Sequence, residues 1–226
     1  PSLTNDTTPS YTFSSDTAGT ITITGATTPA SENPIAWPNM SPGNKTITFG
    51  TLSDGTYDNI TLKLTDSHGN ESNTLTVSSF TIDTTPPQIS QVTPVSSPTN
   101  DTTPTYTFNS NEAGTITITG ATSSTTNATV GNNTLTFNAL SDGTYNNITI
   151  KVTDSLGYES NTLTVPQFTI DTTLPQITEV TPVSTPTTDT TPQYSFSSNE
   201  AGTITITNAS SATTNAIVGT NTITFN

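Results

Sequence analysis

Almost every side chain in this 226-residue chain that could do chemistry is a carboxylate: 17 Asp and Glu stand against 3 Lys and Arg, with one His and no Cys, for a formal net charge of −14. Paired carboxylates can hydrolyse glycosidic bonds when one of them is desolvated in a pocket, and clusters of carboxylates can hold a hard divalent cation. The acids here sit in short turns among Gly, Ser, Thr and Asn with nothing bulky beside them. That setting argues against the first chemistry and favours the second. The lack of cysteine removes disulfides, thiolate metal sites and thiol nucleophiles. His68 is the only histidine and does not recur, since Leu156 takes the matching position, so a Ser-His-Asp site would exist in one repeat alone. No catalytic residue is expected, and no enzyme. The charge balance also repels nucleic acid and anionic lipid, both of which need basic side chains against phosphate.

The elements that position these acids come from an internal repeat. DTTPSYTF at Asp6 returns as DTTPTYTF at Asp101 and DTTPQYSF at Asp189, at offsets of 95 and 88. LSDGTY at Leu52 returns at Leu140, again 88 on, so 88 is the period and the first repeat carries an insertion of 7 residues between Gly25 and Asn44. That insertion holds Trp37 and Met40 in a Pro-rich setting, and its packing is expected to anchor the loop. Only 28% of residues are hydrophobic, which suits several small cores better than one large core. Disorder does not fit, because Thr, Ile, Val, Tyr and Phe recur in patterned runs.

Within a repeat the period is two: Thr115-Ile116-Thr117-Ile118-Thr119, Thr134-Leu135-Thr136-Phe137 and Ile148-Thr149-Ile150-Lys151-Val152-Thr153 each present one apolar and one polar face. Further strands are expected at Tyr106 and Phe108, at Leu163 and Val165, and at Phe168 and Ile170. A phase slip at Pro166-Gln167 reads as a β-bulge. About seven short strands with Gly, Pro, Asn and Asp turns and no helical period describe an antiparallel β-sandwich. Leu140-Ser141-Asp142-Gly143-Thr144-Tyr145 has the spacing of a tyrosine corner, with Tyr57 and Tyr145 as its tyrosines. The fold class is therefore all-β: tandem immunoglobulin-like sandwiches in a linear array. The expected domains are 1–83, lacking its A strand because residues 1–5 align with a turn; 84–171, complete; and 172–226, an N-terminal half. The half-domain would expose an apolar face and a strand edge, to be completed by a longer chain or by a neighbouring subunit. The start at Pro1, with no Met and no signal peptide, reads as an excised or mature segment, and no apolar run approaches the ~18 residues of a membrane span.

The run DTTPPQISQVTPVSSPTNDTTPTYTF, together with NEAGT, TDSHGNESN and TDSLGYESN, resembles the bacterial immunoglobulin-like repeats of large surface adhesins and biofilm-associated proteins over essentially the whole chain. The resemblance implies secretion, an extracellular or cell-surface location, and a spacer that projects a tip module whose ligand is unknown. It also implies calcium at acids near domain junctions. In a sandwich of this topology the last strand of one domain leads to the pole of the next that carries its B–C and F–G loops. Asp83 should then converge with Glu112 and Asp154, and Asp171 should pair with Glu200. Three carboxylates cannot meet without mutual repulsion unless a cation joins them. In the first domain Asp16 and Asp66 are the matching candidates, with Asp16 read as standing in place of the Glu. A second cluster of Asp101 with Asp142 and Asp171 at the opposite pole is conceivable, though capping and turn roles suit those residues better. The partners are neighbouring repeats of the same or an adjacent chain. Two rival readings are a self-assembling extracellular filament, sheath or surface layer, and a carbohydrate-binding module using Trp37.

Overall fold

The computed structural model describes residues 2–26, the backbone of 35–37, and residues 43–226. Every regular element among them is a strand. The side chains of Trp37 and Met40, and with them the loop-anchoring expectation, lie outside the described residues. Contacts divide the chain into two compact units, the first made of residues 1–95, 104–138 and 146–166, the second of 96–103, 139–145 and 167–226.

In the first unit the first repeat forms three sheets. Ile35–Trp37, Gly19–Thr24, Thr61–Thr65 and Leu75–Thr76 make one; Ser10–Ser15 pairs with Gly43–Thr48; and Ser2–Thr4, Phe80–Ile82 and Gly55–Tyr57 make the third. The alternation of the sequence sets which side chains turn inward: Ile21, Ile23, Ile47, Ile60 and Leu62 are each 1–2% exposed and pack with Phe49, Val77, Phe80 and Ile82 into one core. Thr20, Thr22 and Thr24 face outward, where β-branched residues favour the pleat at no desolvation cost. The second repeat contributes the sheets Ile89–Thr93/Thr105–Ser110/Gly131–Thr136 and Asn127–Ala128/Gly114–Thr119/Thr149–Thr153/Leu163–Thr164 to this unit. Tyr106, Phe108, Leu135, Ile150 and Val152 have no exposure at all. In the first two repeats the glycine of Ala-Gly-Thr is there because the strands come too close for a side chain. A Cβ on Gly114 would lie 2.4 Å from the Thr153 carbonyl oxygen, and one on Gly19 would lie 2.3 Å from that of Thr65.

In the second unit Gly143–Tyr145 pairs with Phe168–Ile170, and the third repeat supplies the sheets Ile177–Thr181/Gln193–Ser198/Gly219–Thr224 and Gly202–Thr203/Asn215–Ala216. The tyrosine corner is formed in both copies. Tyr145 donates its hydroxyl to the Ser141 carbonyl at 3.0 Å and stacks on Phe168, and Tyr57 donates to Ser53 at 2.9 Å and stacks on Phe80. The preceding glycines hold φ of +146° at Gly55 and +150° at Gly143, a region that side-chain-bearing residues avoid. Tyr145→Phe, which removes the hydroxyl and keeps the ring, is expected to cost about 1 kcal/mol, read as a small drop in urea midpoint at unchanged slope.

Two expectations are corrected. Residues 2–4 are a strand, not a turn: Ser2–Thr4 runs parallel to Phe80–Ile82, just as Thr99 makes a parallel bridge to Ile170. A three-residue strand with one apolar residue between two polar ones carries too little alternation to be read from sequence. The phase slip at Pro166-Gln167 is not a bulge in one strand. The first repeat shows its cause: Gly55–Tyr57 and Thr61–Thr65 keep one register against Phe80–Ile82 and Leu75–Thr76, and Val77 N–H donates to the Ile60 carbonyl at 2.9 Å between them. Both strands leave the ladder together, so the inward face shifts on both. The register shifts lie instead in the first strand of a repeat, between Gln91 and Thr93 and between Glu179 and Thr181.

Candidate metal centre

Within the first unit the end of strand Phe80–Ile82, the turn after Thr105–Ser110 and the turn after Thr149–Thr153 bring Asp83, Glu112 and Asp154 together, one carboxylate oxygen of each lying within 4.8 Å of the others. All three side chains are partly buried. Each has its other contacts arranged locally. Asp83 Oδ1 accepts from the backbone N–H and hydroxyl of Thr85 at 3.1 and 3.0 Å. Asp154 Oδ1 accepts from the N–H groups of Leu156 and Tyr158 at 2.8 and 2.9 Å. Glu112 accepts a long bond from the Asn111 amide at 3.3 Å.

The other oxygen of Asp154, Oδ2, is buried and has no hydrogen-bond partner. A buried carboxylate oxygen without a donor is costly unless something positive meets it. The first repeat shows what normally fills that role. Asp66, the counterpart of Asp154, accepts from His68 N–H and Asn70 N–H through Oδ1, and its Oδ2 takes the Asn70 side-chain amide at 3.0 Å. Asn70 thereby holds the Asp66 carboxyl below its usual range, first through the side-chain bond and then through the backbone one. Tyr158 stands where Asn70 stands in the first repeat, so Asp154 loses that donor and keeps a free oxygen. This exchange, visible in TDSHGNESN against TDSLGYESN, is the sequence signal that distinguishes the two loops.

Burial pushes the Glu112 carboxyl above its ordinary value, and the negative charges of Asp83, Asp154 and Asp54 push it further, against the Asn111 hydrogen bond. The folded protein therefore holds this proton more tightly than the unfolded chain does. In calcium-free buffer the contribution of Glu112 to stability is expected to be fully present below pH ~4.5 and to be lost as pH rises through the elevated folded value. Melting temperatures of the wild type and Glu112→Gln followed from pH 4 to 7 check this. The wild type should lose ground to the variant as pH rises.

The remaining candidates divide. Asp171 and Glu200 line one cleft with Thr172, Thr173 and Pro175 in the second unit, but no third carboxylate joins them among the described residues. Asp16 and Asp66 belong to no such group either. The Ala-Gly-Thr that follows aligns Asp16 with Asn111, not with Glu112, whose place is taken by Thr17. The reading of Asp16 as the shortened Glu is therefore corrected, and Asp16 bonds the Thr17 hydroxyl at 3.1 Å. At the opposite pole Asp142 accepts from Thr172 N–H, Thr172 Oγ1 and Thr173 Oγ1 at 3.0, 2.7 and 3.0 Å, and these bonds, the Thr172 hydroxyl first, hold its carboxyl below the usual range. Asp101 accepts from the N–H and hydroxyl of Thr103. Both are turn residues that accept from neighbouring threonines.

A sequence model of the bacterial Ig-like domain (Big_13) matches residues 2–84 and again residues 88–172. The chain belongs to this family. Its first two repeats are tandem bacterial Ig-like domains, and the tyrosine corner they share is a feature of that frame. No curated protein matches the chain. Among solved structures it is similar to the fibronectin(III)-like modules of Clostridium thermocellum CbhA, at 11% identity, over 75% of this chain and 87% of that one, with a TM-score of 0.33. Bacterial Ig-like domains typically occur in extracellular or surface proteins and are generally non-catalytic structural modules. Among the described residues no helix is long and apolar enough to cross a membrane.

Proposed function

We propose that this Ig-like chain is a non-catalytic spacer segment of a long, repetitive extracellular or cell-surface protein of the adhesin type, and that calcium stiffens it where the first repeat meets the second. The observation that carries the reading is the free, buried Oδ2 of Asp154 beside Asp83 and Glu112. The donor set is all oxygen and all anionic, which suits calcium and not a soft transition metal. Calcium would be held by these three carboxylates and would replace their repulsion with attraction.

The linker supports the same reading. Thr84 donates its N–H and hydroxyl to Asp54 Oδ1 at 3.1 and 2.8 Å, which ties the linker back to the tyrosine-corner turn of the first repeat, while Thr85 is tied to Asp83. Pro86 and Pro87 follow, with Pro87 buried, so the segment between the two repeats has few free torsions. On the far side Asn161 bonds both the N–H and the carbonyl of Ile89 at 2.9 Å, fixing where the second repeat begins. Small-angle scattering of the chain in calcium and in chelator tests the stiffening. The maximum dimension should become better defined and larger in calcium, and Asp83→Asn should abolish the difference. Identical curves in both buffers would leave the spacer without its clamp.

A further inference from the structure

We propose that the outer edge of the strand Gly131–Thr136 is a pairing site for the same strand of a second copy of this chain, so that copies join edge to edge. The inference rests on strand pairing inside the second repeat, which the family model matches over residues 88–172. It owes nothing to calcium and goes beyond the spacer reading.

A sheet edge presents unpaired N–H and carbonyl groups that invite another chain, and folded proteins blunt such edges. Among the described residues, the second repeat blunts all of its edges but one. Its first strand, Ile89–Thr93, lies between Pro87 and Pro94, shifts register between Gln91 and Thr93, and has the N–H and carbonyl of Ile89 taken by the Asn161 side chain. Asn127–Ala128 and Leu163–Thr164, the outer strands of the other sheet, are two residues long. Gly143–Tyr145 is three residues long, and Phe168–Ile170 beside it is covered by Thr99, which donates to the Thr169 carbonyl and accepts from Asp171 N–H.

Gly131–Thr136 carries none of these devices. It keeps an unbroken register of six residues against Thr105–Ser110 and contains no charge and no Pro. Phe137 N–H donates to the Pro104 carbonyl, so by the alternation of an antiparallel ladder Leu135, Asn133 and Gly131 turn their backbone groups toward that neighbour, and Asn132 and Thr134 turn theirs away. Among the described residues no strand pairs with that outer side. Asn132 and Thr134 are exposed, and cross-strand bonds order them: Asn132 Oδ1 accepts from Asn109 at 2.9 Å, and the Thr134 and Thr107 hydroxyls bond at 3.3 Å. The open stretch ends at Thr136, whose carbonyl accepts from the Ser123 hydroxyl. At its other end stands Val130, 70% exposed, and its counterpart Val218 is 66% exposed.

This edge is complementary to itself, which selects a second copy as its occupant. Set antiparallel to its own sequence about Asn133, it places Asn132 of each copy opposite Thr134 of the other, so that the four outward backbone groups of one copy meet the four of the other. Gly131 then faces Leu135, and Val130 comes against the end of the other copy's open stretch. A formal charge of −14 repels one chain from another, and an uncharged edge is where two copies can meet. The contact is isologous. The first repeat differs at one decisive position: Lys45 stands opposite Phe13 as Asn133 stands opposite Phe108, and two lysines would meet on the dyad. The third repeat has Asn221 there, within Val218-Gly219-Thr220-Asn221-Thr222, and so carries the same edge as the second.

Sedimentation of the full chain, combined with hydrogen exchange of its backbone amides, tests this. Species at multiples of 23.5 kDa should grow with concentration, and exchange at Asn132 and Thr134 should slow as they form. Thr134→Pro with Thr222→Pro removes outward N–H groups that the folded repeats leave unpaired, and this variant should be monomeric. Asn133→Lys with Asn221→Lys copies the first repeat and should weaken association at least tenfold. A monomer at every concentration overturns the proposal. So do oligomers that persist in both variants, and so does exchange at Asn132 and Thr134 that stays equally fast while oligomers form.

Discussion

Phe108→Ala is expected to lower the stability of the second repeat by about 3–5 kcal/mol, the range for emptying a large aromatic site in a core that cannot collapse. Phe108 has no exposure, and its strand is held on both edges, by Ile89–Thr93 and by Gly131–Thr136. Such a loss is a large part of the ~5–15 kcal/mol that keeps a domain folded. The same substitution at Phe13 should cost clearly less, because that ring is only partly buried, beside a strand that among the described residues is paired on one edge. Urea unfolding followed by calorimetry of the two variants gives the comparison. Equal losses would mean that the strand Ile89–Thr93 contributes nothing to burying this aromatic.

The second large effect is that of calcium. A ligand that binds only the folded state stabilises it by about 4 kcal/mol when present at a thousandfold excess over its dissociation constant, so the melting transition of the first two repeats should move upward by several degrees. Asp154→Asn should remove that response. In calcium-free buffer the same variant should be no less stable than the wild type, since it relieves repulsion among Asp83, Glu112 and Asp154 without removing the acceptor that caps Leu156 and Tyr158. Asp66→Asn should behave in the opposite way: it should leave the calcium response intact and cost stability in either buffer, because Asp66 has both oxygens engaged by its own turn. A calcium response that vanished in Asp66→Asn and survived in Asp154→Asn would place the ion elsewhere.

Much of this architecture is legible in the sequence, because a period of two is enough to say which residues of Thr115–Thr119 or Ile148–Thr153 turn inward. The tyrosine corner was equally readable: a Leu, a Gly and a Tyr at fixed spacing leave Tyr145 few places to send its hydroxyl. The convergence of Asp83, Glu112 and Asp154 followed from topology, since chain order fixes which loops share a pole. Local hydrogen bonding was not legible. Whether Asp154 keeps a free oxygen depends on Tyr158 replacing a single amide donor, and Ser2–Thr4 is a strand only because Phe80–Ile82 runs beside it. The slip at Pro166-Gln167 looked one-sided because sequence shows one strand at a time, whereas the ladder breaks in both.

Isothermal titration of calcium into the full chain tests the central claim most directly. With one complete three-carboxylate group among the described residues, the account predicts one saturable site per chain, lost in Asp83→Asn with Glu112→Gln. No binding heat at millimolar calcium, or a site that survives both substitutions, would contradict it.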